Sequence, residues 1–199
     1  MLIIIFFHLL LGIMPWCENN GAKPLVKRWA VAGNSSLNIE GRSNLSPFCC
    51  EVTKYLEADT LQYIKNETTR QFVFNNSRLN VNINDFDCHQ RIITNDFRKT
   101  LKADQNRFLK IQFICLDAFD VHNPQIVRGK VEIQLAGQIK CTTIDFRTST
   151  TSTGLIQMNG TKALLFSEFN LTPPKKFAGI IKIKEEITVH FQLFFKPVE

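Results

Sequence analysis

The 199-residue sequence contains 9 glycines, 7 prolines, 2 tyrosines and 2 tryptophans. So little glycine and proline excludes collagenous sequence and low-complexity linkers, and leaves little material for an internal boundary. No apolar run approaches the ~20 residues that a membrane-crossing helix needs, so a multi-span membrane protein is excluded. G-x-S-x-G, H-E-x-x-H and a phosphate-cradling glycine loop are all missing. No cysteine pair has zinc-ligand spacing, and there is no C-x-x-C motif. These absences point to a non-enzyme without metal or cofactor.

What is present begins with an ordinary globular composition, 44% hydrophobic and 21% charged, with 24 Lys+Arg against 18 Asp+Glu. The basic excess is scattered. It is not gathered with exposed aromatics as nucleic-acid binding requires, and no nucleic-acid partner is expected. The densest basic group, Lys175, Lys176, Lys182 and Lys184, reads as a solvated face or as a surface drawn to anionic lipid. At the N-terminus, Leu2 to Ile13 is almost unbroken apolar sequence, followed by Pro15, Trp16, Cys17 and a polar run to Gly21. That is the shape of a secretory leader, although no Lys or Arg precedes it. Residues 1–22 are read as a signal peptide with an uncertain cleavage site, residues 23–199 as one domain, and the location as periplasmic or secreted. Trp16 is too bulky for the position before a lipoprotein cysteine, so anchoring through Cys17 is not expected.

Export places Cys49, Cys50, Cys88, Cys115 and Cys141 in an oxidising compartment, where one cysteine of the five is left over. A vicinal Cys49–Cys50 bond would be strained, and the preferred pairing is Cys49 or Cys50 with Cys88. Cys115 and Cys141 lie in strand-like segments and read as small core hydrophobes.

Beyond the leader the dominant period is two. Leu79, Val81 and Ile83 alternate with asparagines, Val131, Ile133 and Leu135 with Glu132 and Gln134, and Ile187 to Phe195 with Thr188, His190 and Gln192. Further strands are expected at Ser36–Glu40, Gln71–Asn75, Lys110–Leu116, Ile139–Arg147, Leu155–Met158, Thr161–Phe166 and Gly179–Lys184. Many short strands without a βαβ rhythm indicate an all-β antiparallel sandwich or barrel, and a barrel is the form that leaves no open edge. One segment departs from this: from Asp87 to Ala103, Ile92, Ile93, Phe97 and Leu101 follow helical spacing. Asp87 with Gln90 forms a candidate capping box, and Asn95-Asp96 suggests two short helices joined by a kink over one barrel mouth.

The tightest polar cluster is Asp85, Asp87, Cys88 and His89. Adjacent cysteine and histidine side chains rarely face one another, and acids at a helix start are capping groups, so the cluster reads as structural. His122 and His190 read as surface residues. Six N-x-S/T sequons begin at Asn34, Asn44, Asn66, Asn75, Asn159 and Asn170, and Asp59-Thr60-Leu61 matches a short O-glycosylation signal; neither pattern decides a function.

The stretches NDFRKTLKA (Asn95–Ala103), FLKIQF (Phe108–Phe113), GKVEIQLAG (Gly129–Gly137), SEFNLTPP (Ser167–Pro174) and EEITVHFQLFF (Glu185–Phe195) resemble, in order, the YceI-like family, in a divergent form such as Bacteroidota carry. The resemblance spans Trp29 to Lys196. It implies a lipocalin-like barrel of about eight strands holding a polyisoprenoid or isoprenoid quinone, with the Asn95–Leu101 helix near the mouth. It also implies a strand-loop at Ser167–Thr172, which lacks the arginine and glycine of better-known members. A homodimer is one assembly the resemblance allows. Seventeen phenylalanines suit an apolar lining. The candidate ligand-binding residues are the inward-facing Phe113, Ile111, Val131, Ile133, Leu135, Phe166, Val189, Phe191, Leu193 and Phe195. The same phenylalanines would also suit a filled barrel, an envelope component that binds a protein and no lipid.

Overall fold

The computed structural model describes residues 25–53, 55, 57–176 and 180–198, with Lys175 and Lys176 described in their backbone alone. The expected leader and Cys17 lie outside the described residues, as does Gly179. The strands are β1 (Lys27–Val31), β2 (Ser36–Ser43), β3 (Pro47–Val52), β4 (Thr60–Asn66), β5 (Gln71–Phe74) and β6 (Arg78–Asn82). Then come helix α1 (Arg91–Thr100), β7 (Phe108–Asp117), β8 (Gln125–Leu135), β9 (Gln138–Thr150), β10 (Ile156–Leu165), β11 (Lys175–Lys176) and β12 (Ile181–Val198). In the order β1-β4-β5-β7-β8-β9-β10-β12, eight strands form an antiparallel ring, closed where Arg28–Val31 pairs with Phe195–Val198. This is a lipocalin-like all-β barrel with one short helix.

Two strands take two partners in series along one side. β12 runs for 18 residues, about 55 Å at the usual strand rise, and on one side it meets β1 near its end and β2 along Ile183–Gln192. β7 likewise pairs with β5 through Cys115–Asp117 and with β6 through Phe108–Gln112. One end of the barrel is therefore closed by β1, β4 and β5. At the other end, β3 and β6 are the last strands of their two paths and share no ladder. Their edges are managed by side chains and single links. The backbone bridge between Glu51 and Asp87 and the disulfide between Cys50 and Cys88 tie β3 to the segment after β6. On β6 itself, the Asn80 N–H donates to Tyr55 Oη at 2.8 Å and to Asp59 Oδ2 at 2.7 Å, and the Tyr55 hydroxyl donates to Asp59. Unpaired strand edges recruit other chains, and these links occupy what a ladder would have covered.

The interior follows the two-residue period. Val127, Val131, Ile133 and Leu135 of β8, Ile144 and Phe146 of β9 and Val189, Phe191, Leu193 and Phe195 of β12 all point inward and are buried. Trp29 stands among Tyr63, Phe72, Phe74, Phe119 and Phe195 at centroid distances of 4.6 to 6.0 Å. The chain continues through Phe113 and Phe146 to Phe191. Phe146 lies against bare backbone: a Cβ on Gly160 would come within 2.7 Å of its ring. The lumen is thus occupied by aromatic side chains at their usual tilted and edge-on spacings.

Several details differ from the sequence expectations. Strands β1, β3 and β4 carry no clean alternation and were not anticipated. Leu155–Met158 and Thr161–Phe166 merge into β10, with Gly160 as the smallest link, and Phe166 opens a 3₁₀ turn over Phe166–Phe169. The strand-loop expected at Ser167–Thr172 begins within that turn, which Glu168 closes by accepting from Leu165 N–H at 2.7 Å. Helix α1 is one unbroken piece, without a kink at Asn95-Asp96. No capping box forms: Gln90 is the N-cap without a side-chain bond, and Asp87 instead accepts from His89 N–H at 2.9 Å. Ile92 faces solvent, while Phe97 and Leu101 are buried. Cys115 is half-buried, because a bulge between Phe113 and Cys115 reverses the inward parity of β7. Cys141 is exposed opposite Glu132, on the outer row of β9.

Burial, with Asp59 alongside, holds the Tyr55 phenol far above its ordinary value of 10. A raised acid is neutral in the folded state, so its contribution to stability is complete below pH 10 and declines as pH rises beyond it, at up to about 1.4 kcal/mol per pH unit. Chemical denaturation between pH 8 and 11 should show an alkaline loss of stability that is shallower in Tyr55→Phe. Asp59→Ala, which strips an acceptor from Asn80 N–H, should cost about 1–3 kcal/mol at neutral pH.

Candidate ligand-binding groove

The segment between β6 and α1 is fixed by a compact set of short-range bonds. Asn82 opens a 3₁₀ turn over Ile83–Asp85 by accepting from Asn84 N–H at 3.1 Å. After the bridge at Asp87 the chain turns through His89, whose φ of 62° is left-handed. Thr94 of α1 accepts from Cys88 N–H at 2.9 Å, and its hydroxyl donates to Asp87 at 3.3 Å. Arg98 reaches back to donate to Phe86 O at 2.8 Å, and the Phe86 and Phe97 rings pack 5.4 Å apart. With the Cys50–Cys88 bond, these contacts set the helix beside the β2–β3 hairpin. Of the side-chain cluster noted in the sequence, Asp85 is exposed in the 3₁₀ turn and the other three are engaged. Cys88 is consumed in the disulfide, Asp87 closes a turn, and His89 Nε2 lies 3.3 Å from Glu51. Among the described residues no three His, Cys, Asp or Glu side chains gather as metal ligands.

Between α1, the β2–β3 hairpin and the first residues of β12 lies a groove of about 600 Å³. Its apolar walls are Leu45, Pro47, Phe48, Ile92, Ile93, Phe97, Phe166, Pro174, Ile181 and Ile183, with Ser43, Ser46, Asp96 and Thr100 among its polar members. The volume lies within the usual range for small-molecule sites, and a mostly apolar surface with a few polar groups is the usual lining. Phe48 lies across Gly41 on the paired strand, which keeps the hairpin wall thin. Burial, with Glu51 nearby, pushes the Cys49 thiol up, which makes it a poor thiolate source despite its place on the groove wall.

All ten candidate ligand-binding residues are buried within the barrel. Of these, Phe166 reaches the groove. Ile111 and Leu193 border an enclosed void of about 10 Å³, at the lower limit for a single water. Phe191 lies beneath a polar depression of about 840 Å³ on the outer face of β2, β9, β10 and β12. The others pack into the core. The groove residues of the β2–β3 hairpin have no period to mark them, while Ile92, Ile93 and Phe97 carry the helical spacing and Phe166 is among the candidate residues.

The described chain is a closed antiparallel barrel with an apolar groove at one end. Among solved structures, the chain is similar to a polyisoprenoid binding domain from Saccharophagus degradans implicated in plant cell wall breakdown, at TM-score 0.60 and 12% identity over 86% of this chain and 99% of that one. It is also similar to Burkholderia cenocepacia BcnA, at 0.55 and 10% over 80% and 95% of the two chains. A third similar structure is a Campylobacter jejuni YceI protein, at 0.50 and 10% over 70% and 80%. No family model and no curated protein matches the sequence. At these identities the likeness is one of fold, and the fold is that of the YceI-like barrel.

The Cys50–Cys88 bond closes 38 residues of chain and holds the wall of the groove. Loop entropy gives such a link about 4 kcal/mol. Cys50→Ala/Cys88→Ala should therefore lose on the order of that amount in denaturant titrations and gain hydrogen exchange in α1 before the ring strands. An unchanged exchange pattern at α1 would show that the disulfide does not position it.

Proposed function

We propose that this chain is an exported, non-enzymatic binding protein that holds an apolar lipid chain of the polyisoprenoid or isoprenoid-quinone class. The observation that carries the reading is the 600 Å³ groove, apolar on most sides, at the end of a barrel whose lumen is occupied. The likeness in fold to a polyisoprenoid binding domain supports the choice of ligand class. Burying one CH₂ yields about 0.8 kcal/mol, so three isoprene units offer on the order of 10 kcal/mol before the cost of association. The requirement is continuous apolar contact without stranded polar atoms, and Phe97, Phe166, Ile181 and Ile183 supply it.

The packed aromatic lumen favours a second reading, a filled-barrel envelope component that binds a protein and no lipid. Mass spectrometry of an organic extract from protein purified out of its exporting host separates the two. A stoichiometric prenyl chain or quinone, absent from a denatured and washed control, is the expected result. Ile183→Asp, which places a carboxylate on the groove wall, should reduce uptake of a fluorescent prenyl probe at least about ten-fold. An empty extract with no probe uptake by the unaltered protein would select the filled barrel.

A further inference from the structure

Three exposed aliphatic residues stand at the rim of the groove, each on a different element. Leu45 is 67% exposed at the β2–β3 turn, Ile92 is 74% exposed on α1, and Ile180 is 69% exposed just before β12. Asn44 fixes two of these tips together. Its side-chain amide donates to Ile180 O at 2.9 Å, its Oδ1 accepts from Lys182 N–H at 2.8 Å, and its own N–H donates to Lys182 O at 3.0 Å. The apolar tips are therefore held in place, and they adjoin a groove that is itself apolar.

The same end of the molecule is basic. Lys182 and Lys184 are exposed and alternate with the groove residues Ile181 and Ile183 along β12, while Arg42 flanks the hairpin and Arg91 opens α1, both exposed. The acids at this end are mostly half-buried: Asp96 lines the groove, Glu168 accepts from Leu165 N–H at 2.7 Å and Glu185 from Ser167 N–H at 2.6 Å, while Glu186 is exposed beside the two lysines. Aliphatic tips within a collar of cations match a bilayer surface in which acyl chains lie beneath anionic head groups.

We propose that this rim docks the protein on an anionic membrane leaflet, with Leu45, Ile92 and Ile180 entering the interface and Arg42, Arg91, Lys182 and Lys184 meeting the head groups. The inference rests on the groove being the route of an apolar cargo, since docking there would open the groove directly onto the acyl phase. A second copy meeting this rim face to face would set four exposed cations, Arg42, Arg91, Lys182 and Lys184, against the same four, with Glu186 the exposed acid beside the two lysines.

The test is vesicle flotation of the purified protein, with phosphatidylglycerol-containing and pure phosphatidylcholine vesicles compared at low and high salt. The protein should float with the anionic vesicles and dissociate as salt rises. Lys182→Gln/Lys184→Gln should weaken this partitioning on the order of 30-fold at low salt, at about five-fold per basic residue. Ile180→Asp should weaken it with an unchanged circular dichroism melt, which confirms folding. Equal flotation with both vesicle types, no flotation, or binding unaffected by these variants would overturn the proposal. So would a dimer in sedimentation that Ile180→Asp dissociates. Prenyl-probe uptake is measured separately without vesicles, and Lys182→Gln/Lys184→Gln should leave it unchanged. Lost docking with intact uptake rejects the membrane surface alone, and lost uptake with intact docking rejects the cargo alone.

Discussion

The structure depends on one mismatch of length: β7 is longer than either β5 or β6 on one side of it, and β12 is longer than either β1 or β2. A barrel needs every ladder position of its ring strands filled, and here each long strand takes two partners in series. The arrangement closes one end cleanly through β1, β4 and β5, and leaves β3 and β6 at the other end without a common ladder. The gap is crossed by a disulfide, one backbone bridge and the Tyr55–Asp59–Asn80 set. These links hold the gap nearly shut, and the groove lies beyond them, between α1, the β2–β3 hairpin and the first residues of β12, with α1 held there by the tether at Cys88.

The same closure explains why the cleanly closed end offers so little room. Trp29 and its aromatic neighbours fill the lumen near β1, and Phe146 reaches across to the glycine backbone of β10. An eight-stranded ring is just wide enough for its own side chains or for one small ligand, and this sequence has spent that width on phenylalanine. Space for an apolar chain lies instead at the open-laddered end, which also carries the exposed aliphatic tips and the basic collar. The groove, the exposed aliphatic tips and the exposed cations thus lie at the same end of the barrel.

How much of this was legible in the sequence varies by element. The alternation in β8 and in the Ile187–Phe195 part of β12 is strict, because each has one dry and one wet face, and it located both strands and their inward residues. The hairpin of β2 and β3 was half seen. Pro47 and the two cysteines obscure the period of β3, and its role comes from pairing with distant chain. Cys115 was misjudged as core because the bulge before it is a property of two strands together. The capping role assigned to Asp87 failed because the same carboxylate serves the turn at His89, and the backbone of Asp87 is taken by Glu51. The groove draws its walls from residues 43 to 49, 88 to 100, 166, 174, 181 and 183, and no local pattern joins segments so far apart. Motif order, by contrast, pointed to the barrel fold despite identities of 10–12% to similar structures, since periodicity and turn placement survive where individual residues do not.

The central claim is that an apolar ligand occupies the groove at the tethered end while the aromatic lumen stays packed. Hydrogen–deuterium exchange with and without a bound prenyl chain tests it most directly. Protection should appear in α1, the β2–β3 turn and the first residues of β12, with the strands around Trp29, Phe113 and Phe146 unchanged. Protection confined to those ring strands, with α1 unaffected, would contradict it and place the ligand inside the barrel.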